Sequence, residues 1–211
     1  MILAFNTSLT DLHIGLFSDS AEPLAEFHHI ATEDERHIHD ALLGRSAAEL
    51  LEKISASPND ISRIAFINGP GSFTGLRIGL AFAKGVAFGS GATLTPLIAH
   101  SVLFRSFEKS SVFNSHPLAI LYPGYAKDSV YVSYSDAPEH IAYMKTIDLI
   151  KTGMTDCICP PELEGIGIPH HIVSIDLRVM AEMAISGTDF LPSFSLADLE
   201  PFYGTDFKPT I

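Results

Sequence analysis

The sequence predicts an α/β protein in two lobes, and three observations support this. Short apolar segments with strand character alternate with amphipathic segments that have helical spacing. A glycine-rich loop leads one apolar strand directly into a helix, an arrangement typical of sheets covered by helices. The chain has 211 residues, of which 46% are hydrophobic, enough to bury a sizeable core. We place the lobes at residues 1–97 and 98–211.

The first lobe is predicted to follow the order β-β-β-α-β-α. Its first three strands are joined by short turns and form a β-meander. Thr32-Glu33-Asp34-Glu35 has the spacing of a capping box and begins a long amphipathic helix, which ends before the turn at Ser57-Pro58-Asn59-Asp60. The second helix ends near Gly89 and Gly91. The predicted strands are 1–7, 11–18, 21–31 and 63–68, and the predicted helices are 32–55 and 74–88.

The second lobe is predicted to contain a helix, three strands and a last helix that Gly187 ends. The predicted helices are 101–107 and 176–186, and the predicted strands are 118–121, 129–134 and 141–146. Residues 151–171 are rich in proline and glycine, and we assign no element there. Within them Cys157 and Cys159 lie in a strand-like Cys-Ile-Cys, a spacing poorly suited to a disulfide, so we predict reduced, buried thiols.

The loop between the fourth strand and the second helix is the first candidate binding site. Its glycines permit positive φ, and the free N–H groups of the helix start, together with nearby hydroxyls, suit an anion or acceptor groups of another chain. A P-loop requires a lysine after the second glycine, and a dinucleotide loop requires a shorter last gap, so neither fingerprint fits. Weak nucleotide contact and a purely structural turn both stay open. The candidates for such contact, with the turn after the first strand, are Asn6, Thr7, Ser8, Gly69, Gly71, Ser72, Thr74 and Gly75.

The second helix carries small residues at every fourth position, Gly75, Gly79 and Ala83. A glycine inside a helix costs about 0.5–1 kcal/mol relative to alanine, so this ridge indicates a compensating close packing. The neighbour is either a helix of another chain or this protein's own first helix.

Charge and composition exclude several function classes. The net charge of −12, without a basic face, would repel a phosphate backbone, so we expect no tight binding of nucleic acid, tRNA included, by this chain alone and a protein partner that carries positive charge. Neither a membrane span nor a signal peptide is indicated, and we expect a cytoplasmic location. His37 and His39 are two residues apart on a helix and project to opposite sides, which argues against a metal site with His28 and His29.

The string GPGSFTGLRIG at residues 69–79, followed by Ala83-Lys84-Gly85, resembles the signature of the TsaB family, the smaller non-catalytic partner in the bacterial machinery that makes threonylcarbamoyladenosine in tRNA. The resemblance covers the first half well and the second half thinly. It extends to the Met1 to Ser8 strand, to Arg36–Leu43 where His39 falls on the family's histidine, to Val130-Tyr131 and to Pro201-Phe202-Tyr203. Gly124-Tyr125-Ala126 departs from the Asp-Ala-Arg of the family, and Asn6 replaces the aspartate of its usual Asp-Thr motif.

This resemblance, with the element order, implies an actin-like ATPase fold (ASKHA, ribonuclease H-like) whose second lobe is reduced. It implies a subunit that performs no chemistry and docks through its first two helices on a TsaD-like catalytic subunit, or on a second copy when alone, beside a TsaE-like ATPase subunit. ATP is then used by the partners, and neither cofactor nor metal is expected in this chain. The predicted interface residues are His39, Leu42, Leu76, Arg77, Gly79, Leu80 and Ala83.

Two other functions stay open. One is a small-molecule kinase or ATPase that uses the Asn6–Ser8 turn and the glycine loop, although an asparagine is a poor magnesium ligand. The other is a stand-alone homodimeric interaction module.

Overall fold

The computed structural model of the protein describes residues 1–32, 39–110, 118–187 and 197–204, which form two five-stranded sheets and five α-helices. The strands of the first sheet are β1 Ile2–Asn6, β2 Leu12–Phe17, β3 Pro23–His29, β4 Arg63–Gly69 and β5 Thr93–Ile98. Those of the second are β6 Ala119–Pro123, β7 Ser129–Tyr134, β8 Ala137–Lys145, β9 Cys157–Cys159 and β10 His171–Ile172. The helices are α1 His39–Lys53, α2 Phe73–Ser90, α3 Ala99–Ser110, α4 Thr146–Lys151 and α5 Leu177–Ser186.

The first sheet has the order β3-β2-β1-β4-β5. Its first three strands are antiparallel neighbours, and β4 and β5 run parallel to β1. Both faces are covered: α1 and α2 share a core with Leu3, Phe5 and Phe66, whereas α3 and α5 share a core with Ile2 and Ala65. Coverage on both faces explains why β1 and β4 are continuous apolar runs.

The second sheet repeats this order, β10-β9-β6-β7-β8, with the same directions. Its connections are much shorter than those of the first sheet. The six-residue helix α4 joins β8 to β9, and a single 3₁₀ turn, Pro161–Leu163, follows β9. The second lobe therefore contains the same sheet with reduced helical cover.

Most predicted elements are confirmed, with ends that differ by a few residues. Strand β7 has the predicted bounds, and Ser72, Asp176 and Gly187 cap the helices α2 and α5. The strand-like Cys-Ile-Cys forms β9, and both thiols are reduced and buried, as predicted. Burial raises the pKa of Cys157 to about 12 and that of Cys159 to about 11. The capping residues predicted at 33–35, and His37, lie outside the described residues.

Strand β5 is the main element that we did not predict. Pro96 lies within it, and proline disfavours a strand because it cannot donate a backbone hydrogen bond to a sheet. The sheet order places β5 at an edge, which is where a strand tolerates proline. Residues 151–171, which we left unassigned, contain β9, the 3₁₀ turn and the start of β10.

The two halves of the chain meet closely in space. Helix α5 packs on β1, β2 and β4 of the first sheet, and Leu199 is buried in the core formed by α1 and α2. The lobe boundary at residues 97 and 98 stays a prediction. Within the described part of the chain, every helix is too short or too polar to span a bilayer.

Candidate functional site

The turn after β1 is buried and its polar groups bond to one another. The Asn6 Oδ1 atom accepts hydrogen bonds from the Ser8 backbone N–H at 2.9 Å and from Ser8 Oγ at 2.6 Å. Because the Ser8 proton points to Asn6, the Tyr122 hydroxyl is the donor in its 2.7 Å bond to Ser8 Oγ. Tyr122 belongs to β6, so this turn joins the two sheets. Burial of the Tyr122 hydroxyl raises its pKa far above the ordinary value.

The glycine loop lies directly on this turn. The Ser72 N–H donates to the Ser8 carbonyl oxygen at 2.8 Å, and Thr7 Oγ1 donates to the Gly75 carbonyl oxygen at 2.8 Å. A Cβ atom at Gly71 would lie 2.6 Å from the Ser8 carbonyl oxygen. The two loops that we proposed for nucleotide contact are therefore packed against each other, and Ser72 and Thr74 are the members of that set with exposed side chains.

Residues 197–204 pass over the same loop, and we call them the C-terminal segment. The Phe202 N–H donates to the Asn68 carbonyl oxygen at 2.8 Å, and Asn68 Nδ2 donates to the Glu200 carbonyl oxygen at 2.8 Å. Gly69 has a φ of +138°, and a Cβ there would overlap the carbonyl oxygen of Phe202. The predicted positive φ of this glycine is thus confirmed, and its reason is a close backbone contact.

The small-residue ridge of α2 faces the protein's own interior. A Cβ at Gly75 would overlap the Thr7 carbonyl oxygen, a Cβ at Gly79 would overlap Thr7 Oγ1, and Ala83 is fully buried. At Gly75 and Gly79 the ridge therefore packs on the turn and on β1, which corrects our interpretation that a foreign helix or α1 is the neighbour there. Leu76 and Leu80, at 1% and 7% exposure, are also core residues.

His39 is a further predicted interface residue that lies inside the protein. Its Nε2–H donates to the Thr10 carbonyl oxygen at 2.7 Å, and burial lowers its pKa, so the ring is neutral near pH 7. Leu42 is half-buried against the same core. Arg77 is exposed, and its guanidinium lies 5.3 Å from the centre of the Phe73 ring, which stacks on Tyr203 of the C-terminal segment.

The opposite side of α2 is exposed, and we call it the outer face: Arg77, Ile78, Ala81, Phe82, Gly85 and Phe88. Phe88 exposes 90% of its surface. A Cβ at Gly85 would have no atom within 4 Å, and the same holds for Gly44 on the neighbouring α1. Among the described residues, nothing packs against these helical glycines. Both glycines are visible in the sequence, but our prediction assigned the close packing to the ridge of Gly75, Gly79 and Ala83.

A cleft of about 820 Å³ separates the lobes. The first lobe contributes the start of α2, the start of α1 and the turn after β1, whereas the second lobe contributes residues 123–125 and Glu162. Its charged side chains are Asp40 and Glu162, and no lysine or arginine is among the described residues that line it. Sequence reasoning missed Tyr122, Asp40 and Glu162, because their proximity depends on how the lobes meet.

On the second-lobe side of the cleft, Gly124-Tyr125-Ala126 form a tight turn before β7. The Gly124 N–H donates to the Ser129 carbonyl oxygen at 3.0 Å, and a Cβ at Gly124 would overlap Ser129 Oγ. Ser129 Oγ in turn donates to the Ala126 carbonyl oxygen at 2.7 Å. The tight turn leaves Tyr125 56% exposed at the cleft, stacked on Tyr143 with 4.6 Å between ring centres.

Of the histidines that we considered as metal ligands, His28 and His29 lie on β3 and His39 lies on α1, and His13 of β2 is the neighbour of His28. The rings of His13 and His28 are 4.7 Å apart, and they face Glu26 and Asp11 at 3.2 and 3.5 Å. Burial, then the charge of His28, lowers the pKa of His13. Across the described ranges, no three or more His, Cys, Asp or Glu side chains are arranged to hold a metal ion.

Comparison with known proteins supports the family resemblance. The family model described as "TsaD: tRNA N6-adenosine threonylcarbamoyltransferase" matches residues 28–155. A Buchnera aphidicola protein named tRNA threonylcarbamoyladenosine biosynthesis protein TsaB is 35% identical over 118 residues, which cover 56% of this chain and 49% of that protein. The Haemophilus influenzae protein of the same name is 41% identical over 49 residues, covering 23% of this chain and 21% of that protein. The matches thus span half or less of the curated relatives.

Solved structures support the fold over nearly the whole chain. YeaZ from Pseudomonas aeruginosa superimposes with a TM-score of 0.69 at 15% identity and covers 96% of this chain and 98% of its own. Another structure from that organism, described as similar to the peptidase YeaZ, gives 0.70 at 15% identity, with 97% and 99% covered. Together with the repeated strand order, this confirms the predicted actin-like α/β fold. The chain belongs to the TsaD family matched by that model and is a TsaB/YeaZ-like protein within it.

Proposed function

We propose that the protein takes part in tRNA threonylcarbamoyladenosine biosynthesis as a non-catalytic subunit that docks on a threonylcarbamoyltransferase subunit and activates it. The names of the curated TsaB relatives support the pathway. The resemblance to the TsaB family supports the division of labour, in which a TsaE-like subunit is the ATPase, ATP is used by the partners, and the complex is cytoplasmic.

The outer face of α2 is the observation that carries the docking proposal. An exposed phenylalanine with half-exposed Ile78 and Phe82 forms an apolar helix surface, and Gly85 lets another backbone approach closely. The neighbouring α1 adds Gly44, whose position is equally open. The interface that we propose therefore consists of outward residues of α2 and α1, and of the originally predicted set it keeps Arg77 and the half-buried Leu42.

The occupant that we propose is the catalytic subunit, and charge favours it over a second copy. Two chains that each carry a net charge of −12 repel each other, whereas a partner that must bind tRNA needs positive surface of its own. Homodimerisation through the same face is the expected behaviour of the isolated chain at high concentration, because an apolar surface without its partner associates with itself.

The geometry of the two loops disfavours the kinase alternative. A kinase requires a carboxylate that holds magnesium and donors that face the phosphates. Here the Asn6 amide oxygen accepts two internal hydrogen bonds, and the Ser72 N–H is bonded to the turn itself. Phosphate groups would have to separate two loops that are in backbone contact.

The test uses Ala81→Glu, an exposed position at the centre of the outer face. We expect the wild-type chain to co-elute with the TsaD-like subunit and to stimulate threonylcarbamoyladenosine formation when both are combined with the ATPase subunit and tRNA. Ala81→Glu should lose co-elution and stimulation, because it places a charge into an apolar contact. Ala142→Glu on β8, also an exposed alanine, is the matched control and should retain both.

Other results would change the proposal in distinct ways. Modification that proceeds equally without this chain would remove the activating role. Retained co-elution of Ala81→Glu would move the docking surface elsewhere. Formation of a stable homodimer with no co-elution of the catalytic subunit would indicate the stand-alone module, and magnesium-dependent ATP hydrolysis by the pure chain would restore the kinase or ATPase alternative.

A further inference from the structure

We propose that the docking surface continues from α2 onto the C-terminal segment, where Tyr203 positions Arg77 and the Arg77 guanidinium binds a carboxylate of the catalytic subunit. The proposal rests on the docking function given above, and it names the group of the partner that this end of the surface recognises. It depends on how the C-terminal segment is fixed, on a row of three side chains in contact and on the place of Arg77 in the outer face.

The C-terminal segment is held against the first lobe before Tyr203. Leu199 is 4% exposed and belongs to the core formed by α1 and α2. Asn68 is fully buried and bonds to the backbone at two places. Its Nδ2 donates to the Glu200 carbonyl oxygen, and its own carbonyl oxygen accepts from the Phe202 N–H, each at 2.8 Å. These contacts fix the backbone that leads into Tyr203.

The segment is also fixed directly after Tyr203, at Gly204. This glycine is buried and has a φ of +78°. A Cβ atom there would lie 2.6 Å from the Tyr131 ring of β7 and 3.2 Å from Pro70 Cβ of the glycine loop. The chain therefore passes between the two lobes in a conformation that favours glycine. With close contacts on both sides of it, Tyr203 has a set position.

Three side chains form a row at the start of α2. The Tyr203 ring stacks on the Phe73 ring with 5.2 Å between ring centres and 23° between ring planes. The guanidinium carbon of Arg77 lies 5.3 Å from the centre of the same Phe73 ring, a distance at which the cation is attracted to the ring. Tyr203 thus holds Phe73, and Phe73 restricts Arg77. A restricted side chain loses less conformational entropy when it binds a partner.

This row is continuous with the outer face. Phe73, Arg77, Ala81 and Gly85 occur at every fourth position of α2, so they lie along one side of the helix. Phe73 exposes 38% of its surface, and Arg77 is exposed as well. A partner surface that covers Ala81 and Gly85 would meet Arg77 one helical turn earlier.

The charge of Arg77 determines what the partner must offer. A guanidinium that is covered by another protein loses its water, and this is costly unless an acceptor, best a charged one, takes its N–H groups. Its planar fork of donors matches the two oxygens of a carboxylate. The Phe73 ring attracts the cation but accepts none of these N–H groups in the manner of an oxygen. A carboxylate of the catalytic subunit therefore fits this position better than an apolar group.

The experiment measures the affinity of the full chain for the TsaD-like subunit by isothermal titration calorimetry, first without tRNA. Arg77→Gln should weaken binding by about tenfold or more, because the partner carboxylate loses its counter-charge. Arg105→Gln is the matched control and should retain the affinity, since this exposed arginine lies on α3, which covers the other face of the first sheet. Both variants make the chain equally more negative. A partner recognised only through its positive charge would bind both variants slightly more tightly, which is the opposite result.

The positioning role of Tyr203 is tested through its coupling to Arg77. Tyr203→Ala should weaken binding by about threefold. Tyr203→Phe keeps the stacked ring and should bind as the wild type does. In an Arg77→Gln background, Tyr203→Ala should have little further effect, because Tyr203 acts through Arg77. Urea denaturation of each variant identifies any loss that arises from unfolding.

The outcomes distinguish this proposal from the docking proposal. If Ala81→Glu abolishes binding while Arg77→Gln and Arg105→Gln bind equally well, the docking surface stands and the carboxylate contact is rejected. If Arg77→Gln weakens binding only after tRNA is added, Arg77 meets a phosphate and not a carboxylate. A loss from Tyr203→Ala that is the same in both backgrounds would reject its positioning role. A folded wild-type chain that does not bind the catalytic subunit would reject both proposals.

Discussion

The two sheets share one strand order but differ in the segment that follows β4 in the first sheet and β9 in the second, the strands parallel to the central β1 and β6. After β4 the glycine loop leads into the 18-residue helix α2, whereas after β9 a proline pair leads into a three-residue 3₁₀ turn. Glycine lets the first loop contact the backbone of another turn, and proline holds the second loop extended towards the cleft. The first lobe therefore presents a long helix surface, and the second lobe presents a carboxylate.

The turns after β1 and β6, the first strands of the two sheets along the chain, differ in burial. Asn6, Thr7 and Ser8 are buried and bonded internally, whereas Tyr125 is exposed at the cleft. The turn after β1 is closely packed and supports α2, whereas the turn after β6 is more open and lines the cleft. Substitutions in each lobe can test this contrast.

The largest effect is expected for Gly75→Ala in the first lobe. The added methyl group overlaps the Thr7 carbonyl oxygen, a backbone atom between β1 and α2 that cannot move without separating the two. We expect a loss of about 3 kcal/mol or more in the free energy of unfolding, measured by urea denaturation.

The second-lobe counterpart of that substitution is Gly124→Ala. Its methyl group overlaps the side-chain Oγ atom of Ser129 and lies 2.8 Å from the Ser129 carbonyl group, a less severe backbone overlap than the one at Gly75, and the turn is partly exposed. We expect a smaller loss, about 1–2 kcal/mol. Equal losses at Gly75 and Gly124 would contradict the proposed difference between the lobes.

The second prediction concerns pH and His100, at the start of α3 between the sheets. The side chain is fully buried, its Nε2 atom lies 3.3 Å from the Tyr131 carbonyl oxygen, and burial lowers its pKa from 6.5 to about 4. As the pH falls from 6.5 to 4, His100 binds a proton in the unfolded chain, whereas the buried ring of the folded chain stays neutral. We therefore expect the free energy of unfolding to decrease by about 3 kcal/mol over this range, with no further contribution from His100 at higher pH.

The matched variant for this prediction is His100→Leu. It should flatten the pH dependence between 6.5 and 4, although His13 and His39, whose pKa values burial also lowers, would leave a residual slope. The measurement is urea denaturation at a series of pH values. An unchanged slope in the variant would show that His100 does not carry the effect.

The sequence allowed most of the fold to be predicted, but only part of the site, and the reason is physical. Strand and helix periodicity are local, so the β-meander, β4 and α2 could be read from spacing. The direction in which a small-residue ridge faces is not local: Gly79 lies against Thr7, and only the register of α2 on β1 decides this. Asp40 and Glu162 are 122 positions apart, and no sequence pattern indicated that they share a cleft.

The third prediction sharpens the contact between the lobes. Tyr122→Phe removes the hydroxyl that donates to Ser8 Oγ at 2.7 Å, while the bond from Ser8 to Asn6 remains. We expect a loss of about 1 kcal/mol in the free energy of unfolding. A double-mutant cycle with Ser8→Ala measures the pairwise energy, and a coupling of zero would show that this bond does not stabilise the joined turn.

The smallest stability effect is expected for Gly85→Ala on the outer face, and its sign is opposite. No atom lies within 4 Å of the added methyl group, so the helix should gain about 0.5–1 kcal/mol in the isolated protein. If a partner backbone approaches at this position, the same methyl group should weaken association with the catalytic subunit. Gly44→Ala on α1 provides a second position with the same open surroundings. A variant that is more stable and still associates with unchanged affinity would mean that Gly85 is not required for close approach, and the proposed contact would then rest on the other residues of the outer face and on α1.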